Sequence, residues 1–247
     1  MPTYNDYGIV LNSYNFSESD KILNIYTKEN GLVRAICKGT RKPTSRFSGR
    51  ADQLSCSFFH LAKGKNLDIV SECEQINSFS YLRKDLTRLT YGVLFLEVVN
   101  SFAHEQESES AHVYDLLYTS LEKLQVVDNP ELFSISFLIE FLSIHGFSPQ
   151  LETCVSCSQE IVKSSPETTY PYSSILGGLL CKNCLNLDHK FVSSDVLKFL
   201  TTVETFQQNI STASDRENIR KALDLLKEHI NARAKNEINS FDMVFSL

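Results

Sequence analysis

Along the first 80 residues, apolar side chains come in short runs broken by turn formers. Tyr7–Ser13, Lys21–Thr27, Leu32–Lys38, Leu54–Ala62 and Leu67–Cys73 are rich in Ile, Val, Leu, Phe and Tyr, and each run predicts a strand. Ser17-Glu18-Ser19-Asp20, Asn30-Gly31 and Lys63-Gly64-Lys65-Asn66 separate the runs. Asn-Gly between apolar runs signals a hairpin, because both residues tolerate positive φ. Five short strands in about 75 residues predict a small closed barrel, of which the OB-fold is the common nucleic-acid-binding form. An SH3-like barrel is the competing arrangement. One connection is long: Gly39–Gln53 carries Pro43, Gly49 and several hydroxyls, with Phe47 almost its only apolar residue. Loops of that length in compact domains are usually functional or disordered.

From residue 79 the period becomes helical. Leu82, Leu86, Leu89, Val93, Leu96, Val99 and Phe102 recur at three- and four-residue steps, predicting a helix over Phe79–His104. A second helix is expected over Ala111–Val126. Asn129-Pro130 supplies a cap and a first-turn proline for a third, Glu131–His145, which is apolar nearly all round and ends at Gly146. Ser193–Phe206 and Asp215–Ala234 are two more, the latter opened by a Ser214…Glu217 capping box. The fold class expected is α+β and multidomain: an OB-fold barrel over 1–78, a helical domain in two parts (79–150 and 191–247), and a cysteine-bearing lobe inserted at 151–190.

Seven cysteines divide into two kinds. Cys37, Cys56 and Cys73 stand alone in strand-like runs, as buried thiols do. Cys154-Val-Ser-Cys157 and Cys181-Lys-Asn-Cys184 are two knuckles joined by a spacer carrying Tyr170-Pro171-Tyr172 and Gly177-Gly178, as a short hairpin would. Two such pairs place four thiolates around one Zn²⁺. Four sulfurs fill the tetrahedron, so the predicted zinc is structural. An odd cysteine count and the absence of an export signal favour a reducing, cytoplasmic compartment over disulfides. His189 is close enough in sequence to replace one sulfur.

The 247 residues hold 24 Lys+Arg and 30 Asp+Glu, a net charge of −6, which taken whole speaks against nucleic acid. The distribution reverses that inference. Residues 1–80 carry ten bases and eight acids, +2, while 81–247 carry fourteen and twenty-two, −8. Arg34, Lys38, Arg41, Lys42, Arg46 and Arg50 follow one another with no acid between them. Beyond about 10 Å distant acids are largely screened, so phosphates respond to this local segment. Arg offers planar bidentate donors, neighbouring Thr and Ser hydroxyls add further donors, and Phe47 is placed to stack on a base. No stretch approaches the roughly 18 apolar residues of a membrane span. GxxxxGK[ST], GxGxxG, HExxH and GxSxG are all absent, and none of the six histidines joins a catalytic constellation.

Tyr7-Gly8-Ile9-Val10-Leu11, Glu18-Ser19-Asp20, Thr27-Lys28-Glu29-Asn30-Gly31 and Lys38-Gly39-Thr40-Arg41-Lys42-Pro43-Thr44-Ser45-Arg46 together resemble the N-terminal pattern of the bacterial recombination mediator family RecO. The paired knuckles and helical body agree with many of its members. The resemblance implies a DNA-repair protein without an active site. Its expected work is to bind single- and double-stranded DNA, anneal complementary strands, and help load RecA onto DNA coated by the single-stranded DNA-binding protein SSB. The implied partners are RecR and the acidic C-terminal tail of SSB, at the bacterial nucleoid and away from membranes. Lys38, Arg41, Lys42 and Arg46 fall in the family's basic loop and are the implied phosphate contacts. Arg34 and Arg50 join them by charge and proximity. The alternative is a zinc-stabilised scaffold for protein partners with little direct DNA binding.

Overall fold

Five strands close into a barrel in a computed structural model described over residues 2–42, 44–47, 49–162, 168–185, 187–201 and 213–247. They are β1 (Thr3–Asn15), β2 (Lys21–Thr27), β3 (Gly31–Cys37), β4 (Cys56–Ala62) and β5 (Asp68–Asn77), in the order β1-β2-β3-β5-β4 with β4 returning to β1. All neighbours are antiparallel except β3 and β5, and the barrel is an OB-fold. β1 runs past its apolar stretch at both ends because it serves two partners: Thr3–Ile9 pair with β4 and Gly8–Asn15 with β2. Leu23, Ile25, Val33, Ala35, Phe59, Leu61 and Val70 point inward and form the core. Burying each of these side chains larger than alanine is worth about 1.5–3 kcal/mol.

The β2–β3 turn confirms the Asn-Gly signal in a longer form. Thr27 pairs with Gly31, leaving three residues in the loop, and Gly31 sits at φ +65°. A Cβ there would lie 2.7 Å from the His104 carbonyl oxygen, so only glycine admits this approach.

Three helices complete the first compact unit, Met1–Asp128 with Ile238–Leu247. The single helix expected over 79–104 is divided. Phe79 adopts φ 45°, Leu82–Lys84 form a 3₁₀ turn, and α1 (Leu86–Phe102) starts where the Asp85 carboxylate accepts the Arg88 N–H. α2 follows at Ser110–Leu124. Arg88 then donates to the Leu124 carbonyl and caps the end of α2. The last residues form a short helix, Ser240–Phe245, which packs on α1. The Glu97 carboxylate receives the N–H groups of Asn239 and Ser240 at its start.

The second unit, Asn129–Glu237, holds α3 (Pro130–Ile144), a three-stranded sheet, α4 (Ser194–Thr201) and α5 (Ala213–Asn231), which makes the terminal helix α6. Asn129 caps α3 through the Leu132 N–H, as its position before Pro130 implies. The sheet is β6 (Thr169–Ser173), flanked by β7 (Gly178–Leu179) and β8 (His189–Ser193). The end of the helix expected over 193–206 and the Ser214 cap lie outside the described residues and side chains. His229, on α5, is fully buried. Its Nε2 donates to the Phe147 carbonyl, and the Tyr172 hydroxyl lies 2.5 Å from Nδ1. Arg233 adds bonds to the Ser174 and His229 carbonyls. These contacts fasten the sheet to α5.

Candidate nucleic-acid interface and metal centre

The long β3–β4 connection is built from turns. Thr40 Oγ1 donates to the Cys37 carbonyl, Ser45 N–H to Lys42, and the Arg50 and Ala51 N–H groups both reach the Phe47 carbonyl. It is also laced to the β1–β2 turn. Gly39 N–H donates to the Asp20 carboxylate at 2.9 Å, Arg41 N–H to the Ser19 carbonyl, and the Arg41 guanidinium to the Ser17 carbonyl. That Gly39 bond, with help from the Ser19 hydroxyl, holds the Asp20 carboxyl below its ordinary value. Asp20, one acid of the quoted motif, thus braces the basic loop.

Lys38, Lys42 and Arg46 come together. All three are exposed and line an open hollow of about 390 Å³, whose floor is Ile69, Val70 and Phe47 and whose lining includes no carboxylate. Arg46 is held in place: one nitrogen donates to the Ser71 carbonyl at 2.6 Å, and the guanidinium lies over the Phe47 ring, 5.0 Å from its centroid. A guanidinium has five N–H donors, so most stay available to an anion.

Phe47 requires a correction. Its ring is 4% exposed and belongs to the barrel core, so it offers no face to a base. It is a large apolar side chain in a mostly polar loop, and burial is worth more to it than exposure. The ring anchors the loop that carries the cations.

Arg41 and Arg50 are exposed on the same loop. Arg34 lies elsewhere, on β3, in a smaller hollow with Lys63 and Lys65 that also holds Asp68 and Glu105. In the sequence Lys63 and Lys65 stand only as turn residues. Arg83, the first of the bases near the start of the helical region, is committed to the Gln53 and Leu54 carbonyls.

In the second unit, Cys154, Cys157, Cys181 and Cys184 converge, with all four sulfurs within 4.8 Å of one another. The hairpin expected between the knuckles is β6–β7. The Val155 N–H donates to the Leu179 carbonyl and sets the first knuckle against the second. Gly178 makes this approach possible, since a Cβ there would fall 2.3 Å from the Gln150 carbonyl oxygen.

Sulfur chemistry tests whether a metal fits. A tetrahedron with metal–sulfur bonds of about 2.3 Å has edges of about 3.8 Å, and the Cys157 and Cys181 sulfurs are 3.7 Å apart. Burial works to raise the Cys154 thiol, but N–H groups of Cys181, Cys157 and Ser156 outweigh it and bring the thiol to about 6. Cys184 is pushed up, first by its hydrogen bond to Cys181. Four sulfurs this close cannot all be anionic without a cation among them. The donor set can therefore hold one metal ion, and soft thiolates select a soft or borderline one. All seven cysteines are free thiols.

Comparison with known proteins agrees with this geometry. Residues 1–79 match the family model for the recombination protein O N-terminal part, and residues 83–240 that for its C-terminal part. The DNA repair protein RecO of Symbiobacterium thermophilum is 36% identical over 185 residues, covering 74% of this chain and 72% of its own. That of Desulforamulus reducens is 33% identical over 199 residues, 81% of this chain and 73% of its own. That of Alkaliphilus metalliredigens is 33% identical over 216 residues, 87% and 82%. A five-stranded OB-fold bearing a cationic loop, a helical body and matches spanning both parts lead to one conclusion: the chain belongs to the RecO family of DNA repair proteins.

Proposed function

We propose that this chain is a non-enzymatic DNA-binding protein of recombinational repair. It binds single- and double-stranded DNA, anneals complementary strands, and assists RecA loading onto SSB-coated single strands, with RecR and the SSB C-terminal tail as protein partners. Its place is the bacterial cytoplasm, at the nucleoid. The observation that carries this reading is the convergence of Lys38, Lys42 and Arg46 around one acid-free hollow on an OB-fold barrel. Phosphate oxygens meet fixed, partly pre-oriented donors there. Arg41 and Arg50 extend the same surface, and Arg34 with Lys63 and Lys65 offers a second point of contact. Cys154, Cys157, Cys181 and Cys184 hold one structural Zn²⁺, which when bound cross-links the two knuckles and leaves no open coordination position.

The test is fluorescence anisotropy with a labelled oligonucleotide across a salt series. The triple variant Lys38→Glu/Lys42→Glu/Arg46→Glu is expected to bind at least tenfold more weakly. Each lost phosphate contact should flatten the log–log salt slope by about 0.7. Annealing of complementary oligonucleotides should fall in parallel. Unchanged affinity and slope would remove the assigned surface, and absence of binding by the unaltered protein at low salt would favour the scaffold reading.

A further inference from the structure

With Phe47 in the core, the cationic loop has no aromatic ring of its own to offer a base. The outer surface of the barrel supplies what is missing. Tyr14 pairs with Ile22 across β1 and β2, Ile22 with Ile36 across β2 and β3, and Ile36 with Ile69 across β3 and β5. Side chains alternate along a strand, and the neighbours Leu23, Ala35, Cys37 and Val70 point into the core. The four form one outward row across four strands, about 14 Å long at the usual strand spacing.

A sheet face open to water is ordinarily polar. Here Ile22, Ile36 and Ile69 are all part-exposed, and Tyr14 is 50% exposed. Phe16, just beyond β1, is 56% exposed. The next outward row, Asn24 opposite Arg34, is polar. The apolar row also leads somewhere: Ile69 is part of the floor of the hollow lined by Lys38, Lys42 and Arg46. The turn that carries Phe16 is the turn bonded to the basic loop through Asp20, Ser19 and Ser17. The turn that follows the rings and the loop that carries the cations are therefore tied to one another.

We infer that this row, with Tyr14 and Phe16 as its aromatic end, is the surface on which the bases of a single DNA strand lie while Lys38, Lys42 and Arg46 hold its phosphates. The inference deepens the DNA-binding reading and depends on it. Unpaired bases present π-faces that stack on aromatic rings regardless of sequence, each contact worth about 1–3 kcal/mol. Duplex DNA keeps those faces within its own stack, so the row distinguishes single from double strands where the charges alone do not. An apolar peptide would use the row but not the acid-free cationic hollow at its end.

The chain contains no tryptophan, so Tyr14→Trp and Phe16→Trp each create a single-tryptophan reporter. Titration with oligo(dT) should quench that fluorescence, and a hairpin duplex of equal length should not. In anisotropy, Tyr14→Ala/Phe16→Ala should weaken oligo(dT) binding about tenfold per ring. Its salt slope should match the unaltered protein, because no phosphate contact is lost. Duplex affinity should be unchanged. Both side chains are exposed, and an unchanged circular dichroism spectrum checks that the barrel is intact. If the unaltered protein binds oligo(dT) and the alanine variant binds it equally well, the row is not the base surface. If the unaltered protein binds no DNA at low salt, the DNA-binding reading fails and this inference with it. Equal quenching by duplex would also overturn it.

Discussion

Three cysteines lie in the strands of the barrel and four crowd together beside the sheet of the second unit, and the same thiol behaves oppositely in the two places. Cys37, Cys56 and Cys73 are at most 5% exposed, and burial pushes their thiols up, Cys56 and Cys73 to about 11. They pack as small buried side chains, Cys56 with the Tyr114 hydroxyl 3.2 Å from its sulfur. Cys154 is also buried, yet N–H groups aimed at its sulfur pull its thiol down to about 6. Desolvation outweighs the single hydroxyls of Thr40 and Tyr114 at Cys37 and Cys56, and several backbone donors together outweigh it at Cys154. The barrel holds itself together by filling its interior. The knuckles bring together four donors that can hold a cation.

Breaking the metal centre should give the largest effect. Cys154→Ser removes the most enclosed of the four sulfurs. Metal content, measured on the purified full chain by elemental analysis, should fall from about one ion to near none. Structural zinc is worth about 10–16 kcal/mol in zinc-finger peptides, so the knuckles should open and be cut by protease between residues 150 and 190. The barrel should keep its DNA affinity in the same preparation. Full metal retention with an unchanged cleavage pattern would contradict the four-sulfur centre.

The two regions were also unequally legible. The knuckles were plain in the sequence because metal chemistry fixes both residue type and spacing. The strands were nearly as plain, since short apolar runs between turn formers leave few alternatives. What pairing creates was not visible. Tyr14, Ile22, Ile36 and Ile69 are scattered over 56 positions, and only the register makes them a row. Phe47 illustrates the same limit: an aromatic in a polar loop suits stacking or anchoring equally well until the core beneath it is seen. Arg34 stood in the basic run, but strand direction carries it to Lys63 and Lys65. The packing of Ser240–Phe245 on α1 left no periodic signal, because six residues are too few to show one.

A mid-sized effect should separate the second unit's polar core from its four-cysteine cluster. Burial is the main cause holding His229 down to about 4, the bond to Phe147 opposes it, and the Arg233 charge adds to it. A buried imidazole with a lowered pKa favours folding fully above its ordinary value of about 6.5. That contribution is lost as pH falls toward 4, amounting to roughly 3 kcal/mol at 1.36 kcal/mol per unit. Thermal unfolding at pH 7 and pH 4.5 should show it. His229→Gln should be less stable than the unaltered protein at pH 7 yet lose less on acidification. Acid acts on the four knuckle thiols of both proteins alike, so their difference isolates the histidine. Equal losses would mean that His229 does not couple folding to protons.

The smallest effect sharpens the comparison from the barrel side. Cys73→Ala removes one buried sulfur from a packed core that it shares with Cys37 and Val70. Deleting a single heavy atom of this kind should cost about 1 kcal/mol, at the low end of core truncations. Metal content should not change, because the four-sulfur cluster includes none of the barrel thiols. In the unaltered protein the three barrel thiols should resist alkylation until the barrel unfolds. A raised pKa removes the reactive thiolate, and burial removes access. Chelation should then expose the four knuckle thiols to alkylation while the three barrel thiols stay protected. Counting labelled cysteines by mass spectrometry before and after chelation reads both halves of the contrast in one sample. Four newly reactive thiols are expected, and seven would show that the barrel depends on the metal as well.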